Sequence, residues 1–97
     1  MASNQRGSPD QSIRLNLAQT ALYAAYQVSE VTAPPGTSVW KSQLEDLGFL
    51  PGERVAVMAR GLPGNDPLVV RVGLSTFALR AAEAACVLVG PLPTGAT

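Results

Sequence analysis

Histidine is absent from this sequence, and cysteine occurs once, as Cys86. Protein sites for zinc and iron are mostly built from His and Cys side chains, so a site of that usual kind is excluded. Nucleophilic catalysis also loses its commonest general base, and the sequence has no glycine-flanked serine of the kind that forms a nucleophile elbow. We therefore expect a protein that is not an enzyme.

The sequence also has no excess of either sign of charge, because seven basic and seven acidic side chains cancel. Nucleic acids attract proteins through many uncompensated Lys and Arg residues, so no nucleic-acid partner is expected. The least charged stretch, residues 15–29, is interrupted by polar side chains and is shorter than the roughly 20 apolar residues of a membrane span. No apolar block typical of a signal peptide follows the first residues. We expect no direct membrane insertion and a cytoplasmic location.

The few groups that could hold a cofactor are poorly placed for it. Glu45 and Asp46 are adjacent on a predicted helix, where neighbouring side chains diverge by about 100° and cannot face one ion together. The loop "GLPGND", residues 61–66, lacks the Lys and the Ser or Thr of a phosphate-binding loop. Cys86 lies in the apolar run "ACVLVG", which is typical of a buried thiol in a reducing cytosol. No cofactor is expected to be required, and the ligands of any metal are unknown.

A chain of 97 residues is large enough for one compact domain and too short for two. Residues 1–12 are polar, contain Gly7 and Pro9, and show no apolar period, which predicts a flexible leader. The domain is predicted over residues 13–90, and a flexible tail over residues 91–97.

A short helix with a sharp end is predicted near the middle of the chain. Trp40, Leu44 and Leu47 recur at steps of four and three, which places them on one face of that helix. Gly48 follows at the position where a left-handed residue costs least, so the chain reversal should fold Phe49 back against Leu44.

The residues after this helix predict a structural turn that leads directly into a strand. Pro51 presets its own dihedral angle and Gly52 supplies the positive one that a type II turn requires. We assign Gly48, Pro51 and Gly52 to this turn because their backbone roles already account for them.

Alternation of apolar and polar residues predicts the strands. In "ERVAVMAR" it turns Val55, Val57 and Ala59 inward and both arginines outward. "YAAYQVSEV", "PLVVRVG", "LSTFALR" and "CVLV" predict four more strands, and "LNLAQ" is compatible with a short helical turn. The predicted fold class is mainly β, a small five-stranded partly open barrel with one short helix between strands 1 and 2. The core candidates are Leu44, Leu47, Val55, Val57, Val70, Val72, Leu79 and Val89.

The segment "ALYAAY", residues 21–26, shares part of the "ALYDY" motif of eukaryotic SH3 domains, whose aromatic residues bind proline-rich peptides. In this chain the second tyrosine is displaced by one residue, the acidic residue is missing, and Trp40 lies on the predicted helix. The match supports a peptide-binding groove of that type only weakly.

The ordered set of motifs resembles the ferrous iron transport protein A family, FeoA. The resemblance is carried by "LxxLGFxPG" at residues 44–52, "NDP" at residues 65–67, the strand "VVRVG", and "FALRAAEA" at residues 77–84. It implies an SH3-like barrel and an accessory role in bacterial ferrous iron uptake beside FeoB, a membrane permease with a cytosolic GTP-binding domain. The family's domain is also described as binding transition metals. Domains of the same type form the C-terminal part of iron-dependent repressors.

After turn and core residues are set aside, a mixed polar and apolar surface remains, which is what a modest contact between proteins needs. It comprises an outward helix side, the outer face of the second strand and the loop before the third. The candidate partner-binding residues on it are Lys41, Gln43, Glu45, Arg54, Met58, Asn65 and Asp66.

Three functions are therefore open. The first is a non-enzymatic regulator that contacts the cytosolic part of a FeoB-type permease. The second is a sensor with a weakly bound divalent transition metal, in which carboxylates and backbone oxygens take Fe(II) or Mn(II). The third is a peptide-binding adapter with an unrelated client. The sequence leaves the docking face and the oligomeric state open.

Overall fold

The computed structural model describes residues 15–62, 64 and 66–93. The predicted leader and the last four residues of the predicted tail lie outside this part of the chain. The strands are β1 (Leu15–Asn16), β2 (Tyr26–Val31), β3 (Arg54–Arg60), β4 (Leu68–Val72), β5 (Ser75–Leu79) and β6 (Val87–Gly90). The helices are α1 (Ser38–Leu47) and the four-residue α2 (Ala81–Ala84), and a 3-10 turn spans Leu17–Gln19. Among these residues, no helix has both the length and the apolar character needed to cross a membrane.

The strands form one antiparallel sheet in the order β1-β6-β2-β3-β4-β5. Its end strands, β1 and β5, do not pair with each other in the described part of the chain, so the sheet is open. The predicted mainly β class is confirmed, and α1 lies between β2 and β3 as expected. The sheet has six strands where the sequence predicts five, because the chain before the 3-10 turn pairs with β6 as a two-residue strand.

The core combines the inward side chains of the sheet with Leu17 of the 3-10 turn, Leu44 of α1 and Phe49. One predicted core residue is wrong: the Leu47 side chain is 37% exposed. Leu47 is the last residue of α1, and its side chain lies at the wall of an open groove instead of under the sheet. The other predicted core residues are buried, namely Leu44, Val55, Val57, Val70, Val72, Leu79 and Val89.

Backbone hydrogen bonds fix the corner that follows α1. Gly48 has a φ of 114°, and its N–H donates to the Glu45 carbonyl at 3.0 Å. The Phe49 N–H donates to the Leu44 carbonyl at 3.1 Å, which turns the chain back under the helix. A side chain with a Cβ would be strained at the φ of Gly48, so glycine is the residue that allows this reversal.

The turn that follows is fastened to β2. The Glu53 N–H donates to the Leu50 carbonyl at 3.0 Å, which closes the turn, and Gly52 has a φ of 93°. Val28 of β2 donates its N–H to the Glu53 carbonyl and accepts from the Gly52 N–H, both at 2.8 Å. The corner therefore sets the position of α1 relative to the sheet.

A β-bulge changes which side chains of β3 face the core. The pairing of β3 with β4 shifts register between Val57 and Ala59, so strict alternation ends there. Ala59, predicted to face inward, is exposed, and Arg60, predicted to face outward, is half-buried. The Arg60 guanidinium donates to the carbonyls of Ala18 and Thr20 beside the 3-10 turn. The sequence pattern could not show this correction because a bulge adds one residue to one strand alone.

Candidate functional site

An open groove of about 370 Å³ lies between α1, the end of β5 and α2. Its walls come from two separate parts of the chain: α1 forms one, and β5 with α2, which follows it directly, forms the other. The lining residues are Trp40, Gln43, Leu44, Asp46, Leu47, Ala78, Leu79 and Glu83.

The helix wall of the groove is formed by three apolar side chains, Trp40, Leu44 and Leu47, with the polar Gln43 and Asp46, and it is partly open to solvent. Trp40, Gln43, Leu44 and Leu47 follow the three- and four-residue spacing that places side chains on one side of an α-helix. Leu44 is buried and Trp40 is half-buried against the core, whereas Leu47 is more than one third exposed. Because its apolar side chains pack on the core on one side and reach solvent on the other, this wall can receive an apolar side chain of a binding partner.

The charged residues of the groove lining, Asp46 and Glu83, are both acidic. The Glu83 carboxylate accepts a hydrogen bond from the Arg80 N–H at 2.9 Å, which holds it at the start of α2. Asp46 is exposed on α1, and its carboxylate makes no hydrogen bond or ion pair with another described residue. The groove therefore carries negative charge that the described residues leave partly uncompensated.

The partner-binding residues predicted on α1 divide between two sides of the helix. Gln43 lines the groove. Lys41 is exposed and Glu45 is half-buried, and neither belongs to the groove lining. Residues two apart on a helix point in nearly opposite directions, so Gln43 cannot share a face with both of its predicted companions.

The partner-binding residues predicted on β3 lie away from the groove. Arg54 is exposed and Met58 is half-buried beside the bulge. In the sheet, β4 separates β3 from β5, whose end forms part of the groove. Both remain predicted partner-binding residues.

The two loop residues have different outcomes. The Asp66 carboxylate accepts a hydrogen bond from the Ala81 N–H at 2.9 Å, so it attaches the loop to the start of α2. The loop is tightly closed at its base, where a Cβ on Gly61 would lie 2.6 Å from the Asp66 carbonyl oxygen. Asn65 lies outside the described residues.

Sequence reasoning missed Trp40, Asp46, Leu47 and Glu83 as site residues. The helical spacing places Trp40 and Leu47 together, but it gives no sign that one of them is open to solvent. The one available signal was an acidic residue, Asp46, directly beside the apolar face of α1. The opposite wall is contributed by β5 and α2, which lie further along the chain and approach α1 only in the folded domain.

The described residues do not fit a metal centre. They contain no group of three or more His, Cys, Asp or Glu side chains able to hold an ion. Cys86 is a free, buried thiol, as the sequence predicts. Burial raises the pKa of this thiol, and the negative charge of Glu83 raises it further. A metal binds the thiolate, so this environment opposes a metal bond to Cys86.

The raised pKa of Cys86 has a measurable consequence. Below the ordinary thiol pKa of 9.0 the side chain is protonated in both the folded and the unfolded chain. At higher pH the unfolded chain loses this proton first, so the thiol's stabilising contribution falls as the pH rises through the raised folded pKa. We expect the difference in unfolding free energy between the wild type and Cys86→Ala to shrink above pH 9.0.

Urea denaturation of both proteins between neutral pH and about pH 10.5 measures that difference, since the alanine variant shares every other titrating group. A thiol reagent should also modify the native wild type much more slowly than the urea-unfolded chain. A difference in stability that stays constant across the range would contradict the prediction.

Comparison with known proteins gives one family. A family profile of the FeoA domain matches residues 15–91, most of the chain. Comparison with curated protein sequences gives no match. Among solved structures, FeoA of Stenotrophomonas maltophilia in complex with zinc, a prokaryotic SH3 domain protein, is 36% identical and superposes with a TM-score of 0.71. That likeness covers 78% of this chain and 89% of the Stenotrophomonas chain.

FeoA of Chlorobium tepidum is 25% identical over 81% of this chain and 71% of its own, with a TM-score of 0.69. A manganese-dependent transcriptional repressor is 16% identical, with a TM-score of 0.69, and the likeness covers 82% of this chain and 42% of the repressor. That last comparison shows a shared fold alone. The fold is SH3-like, and with the profile match over residues 15–91 it establishes that the chain belongs to the FeoA family.

Proposed function

We propose that this chain is a non-enzymatic accessory protein of bacterial ferrous iron uptake that acts by binding the cytosolic part of a FeoB-type permease. The observation that carries the proposal is the open groove with Trp40 and Leu47 in its wall. A partly exposed apolar side chain in the same groove wall as a half-buried tryptophan is what the centre of a contact between proteins requires. The contact would take place in the cytoplasm.

Membership of the FeoA family supports the iron-transport part of this proposal. The Stenotrophomonas FeoA, 36% identical to this chain, is described as a candidate activating factor of bacterial ferrous iron transport. A protein of that kind works by changing the activity of another protein, so it needs a recognition surface and no reacting groups. The groove supplies such a surface.

The test is a binding measurement between this chain and the purified cytosolic part of the permease, with and without guanine nucleotide. We expect association with a Kd in the micromolar range, typical of a regulatory contact of modest area. Dependence of that Kd on the nucleotide would link binding to the state of the GTP-binding domain. Absence of association at tens of micromolar in every nucleotide state would count against the proposal.

A second candidate function is divalent metal sensing, and one finding favours it: the Stenotrophomonas FeoA structure contains zinc. The described residues here offer no ready ligand group, so binding would be weak and would use carboxylates with backbone oxygens. Calorimetric titration with Zn²⁺ or Mn²⁺, together with the shift in Tm, measures it directly. A metal that produces neither heat nor a shift in Tm would remove this alternative.

A further inference from the structure

We infer that the groove between α1 and β5 binds an extended segment of a partner protein in which an apolar side chain is flanked by Lys or Arg. The identification of that partner as the permease rests on the proposed function, but the chemistry of the segment does not. Three independent features of the groove lead to this inference: its apolar wall, the sign of its charge and the strand edge beside it.

The apolar wall requires an apolar occupant. Leu47 keeps 37% of its surface exposed although it belongs to the same helical stripe as the buried Leu44. The groove volume of about 370 Å³ lies at the lower end of the range of roughly 300 to 1,000 Å³ that ligand pockets have. Covering Leu47 and the open side of Trp40 would remove apolar surface from water, which favours binding.

The charge of the groove selects a cationic occupant. Asp46 and Glu83 lie among the lining residues, on α1 and α2, and no Lys or Arg lies among them. The Asp46 carboxylate has no partner of its own within the described part of the chain. Lys or Arg side chains flanking the apolar anchor would find complementary charge, whereas acidic side chains would be repelled.

The strand edge favours an extended occupant. Within the described part of the chain β5 is an end strand that pairs with β4 alone, so its other edge has no strand partner there. The residues of β5 that line the groove, Ala78 and Leu79, stand opposite the helix wall. A peptide placed between a helix and a strand edge can bond to the strand backbone while one side chain enters the groove, as in recognition by strand addition.

A second copy of this chain is a poorer occupant. In a symmetric dimer the same patch contacts itself, so Asp46 and Glu83 of both copies would meet across the interface. Four carboxylates in one partly desolvated contact repel one another. The observed charge therefore favours a different, basic partner.

Trp40 is the single tryptophan of the chain, so its fluorescence reports on the groove directly. The probes are three tryptophan-free hexapeptides: RLRVLR, the charge-reversed ELEVLE, and RSRTSR, which keeps the charge without apolar side chains. We expect RLRVLR to change the fluorescence in a saturable manner, with an affinity at least about ten-fold above that of either control peptide. Raising the salt from about 50 to 500 mM should weaken its binding.

The decisive variant is Asp46→Lys, because the Asp46 carboxylate makes no hydrogen bond with another described residue, so its loss should not disturb the fold. We expect it to weaken RLRVLR binding about ten-fold and to strengthen ELEVLE binding. The matched control is Glu45→Lys, which makes the same charge change one residue earlier, outside the groove lining. Leu47→Ser should weaken RLRVLR without reversing the charge preference, and circular dichroism checks that each variant is folded.

The outcomes separate this inference from the proposed function. If RLRVLR binds no better than ELEVLE, or if Asp46→Lys and Glu45→Lys have equal effects, the inference is wrong whatever the permease does. If the peptide results hold and the permease fragment does not bind, the groove stands and the proposed partner is wrong. Self-association, measured by sedimentation and abolished by Leu47→Ser, would show a second copy as the occupant and overturn the inference.

Discussion

Replacing Phe49 by alanine is expected to lower the free energy of unfolding by about 3–5 kcal/mol, the range for emptying a buried aromatic site. Phe49 has no exposed surface, and its ring lies 6.5 Å from the ring of Phe77, centroid to centroid, with the planes tilted by 50°. Small domains have a total stability of about 5–15 kcal/mol, so this single change should leave the chain close to its folding threshold. Urea denaturation and thermal melting measure the loss.

The matched control is Leu74→Ala, which also shortens an apolar side chain but acts at a residue that is 94% exposed. It should change the free energy of unfolding by less than about 0.5 kcal/mol. Phe49→Leu should fall between the two, because leucine fills part of the space. A loss below about 1 kcal/mol for Phe49→Ala would contradict the full burial of the Phe49 side chain.

Phe49 also connects the corner to the groove. It follows α1 directly, and its ring contacts Phe77 on β5, so one contact ties the helix wall of the groove to the strand wall. A variant that weakens this contact should widen the groove as well as destabilise the fold. Phe49→Leu, which keeps most of the stability, is therefore the variant in which reduced peptide binding can be separated from unfolding.

The corner around Gly48 is the part of the fold that the sequence predicts best. The positive φ angles of Gly48 and Gly52 are local requirements that few other residues meet, so their positions identify the end of the helix and the turn. The inward positions of Val55 and Val57 follow from alternation in the same way. Local chemistry determines each of these features, and local chemistry is visible in the sequence.

Features that depend on distant pairing could not be predicted. The bulge after Val57 depends on how β3 and β4 align, and it reverses the facing of Ala59 and Arg60. β1 exists only because Leu15 and Asn16 pair with β6, which lies more than seventy residues further along the chain. The groove depends on α1 meeting β5 and α2, which the sequence does not show, so the sequence predicts Leu47 as a core residue.

Arg60 gives the second large effect. We expect Arg60→Met to lower the free energy of unfolding by about 2 kcal/mol, since hydrogen bonds to a charged group contribute more than neutral ones. The guanidinium donates to the Ala18 carbonyl at 3.1 Å and also to the Thr20 carbonyl, and Thr20 is itself buried. Methionine keeps much of the apolar part of the arginine side chain. The loss of unfolding free energy therefore measures the two missing hydrogen bonds, including the cost of leaving both carbonyls without that donor.

The controls for Arg60 are Arg54, on the same strand, and Arg71, on the neighbouring strand β4. Arg54→Met and Arg71→Met remove the same group from exposed positions and should each change stability by less than about 0.5 kcal/mol. Amide hydrogen exchange should rise in Arg60→Met for the 3-10 turn and β1 before it rises in β4, because the lost bonds hold that turn against the sheet. Equal effects of all three substitutions would contradict the inward position of Arg60 after the bulge at Val57. The side chains of β3 would then alternate between the two faces of the sheet, as its sequence predicts.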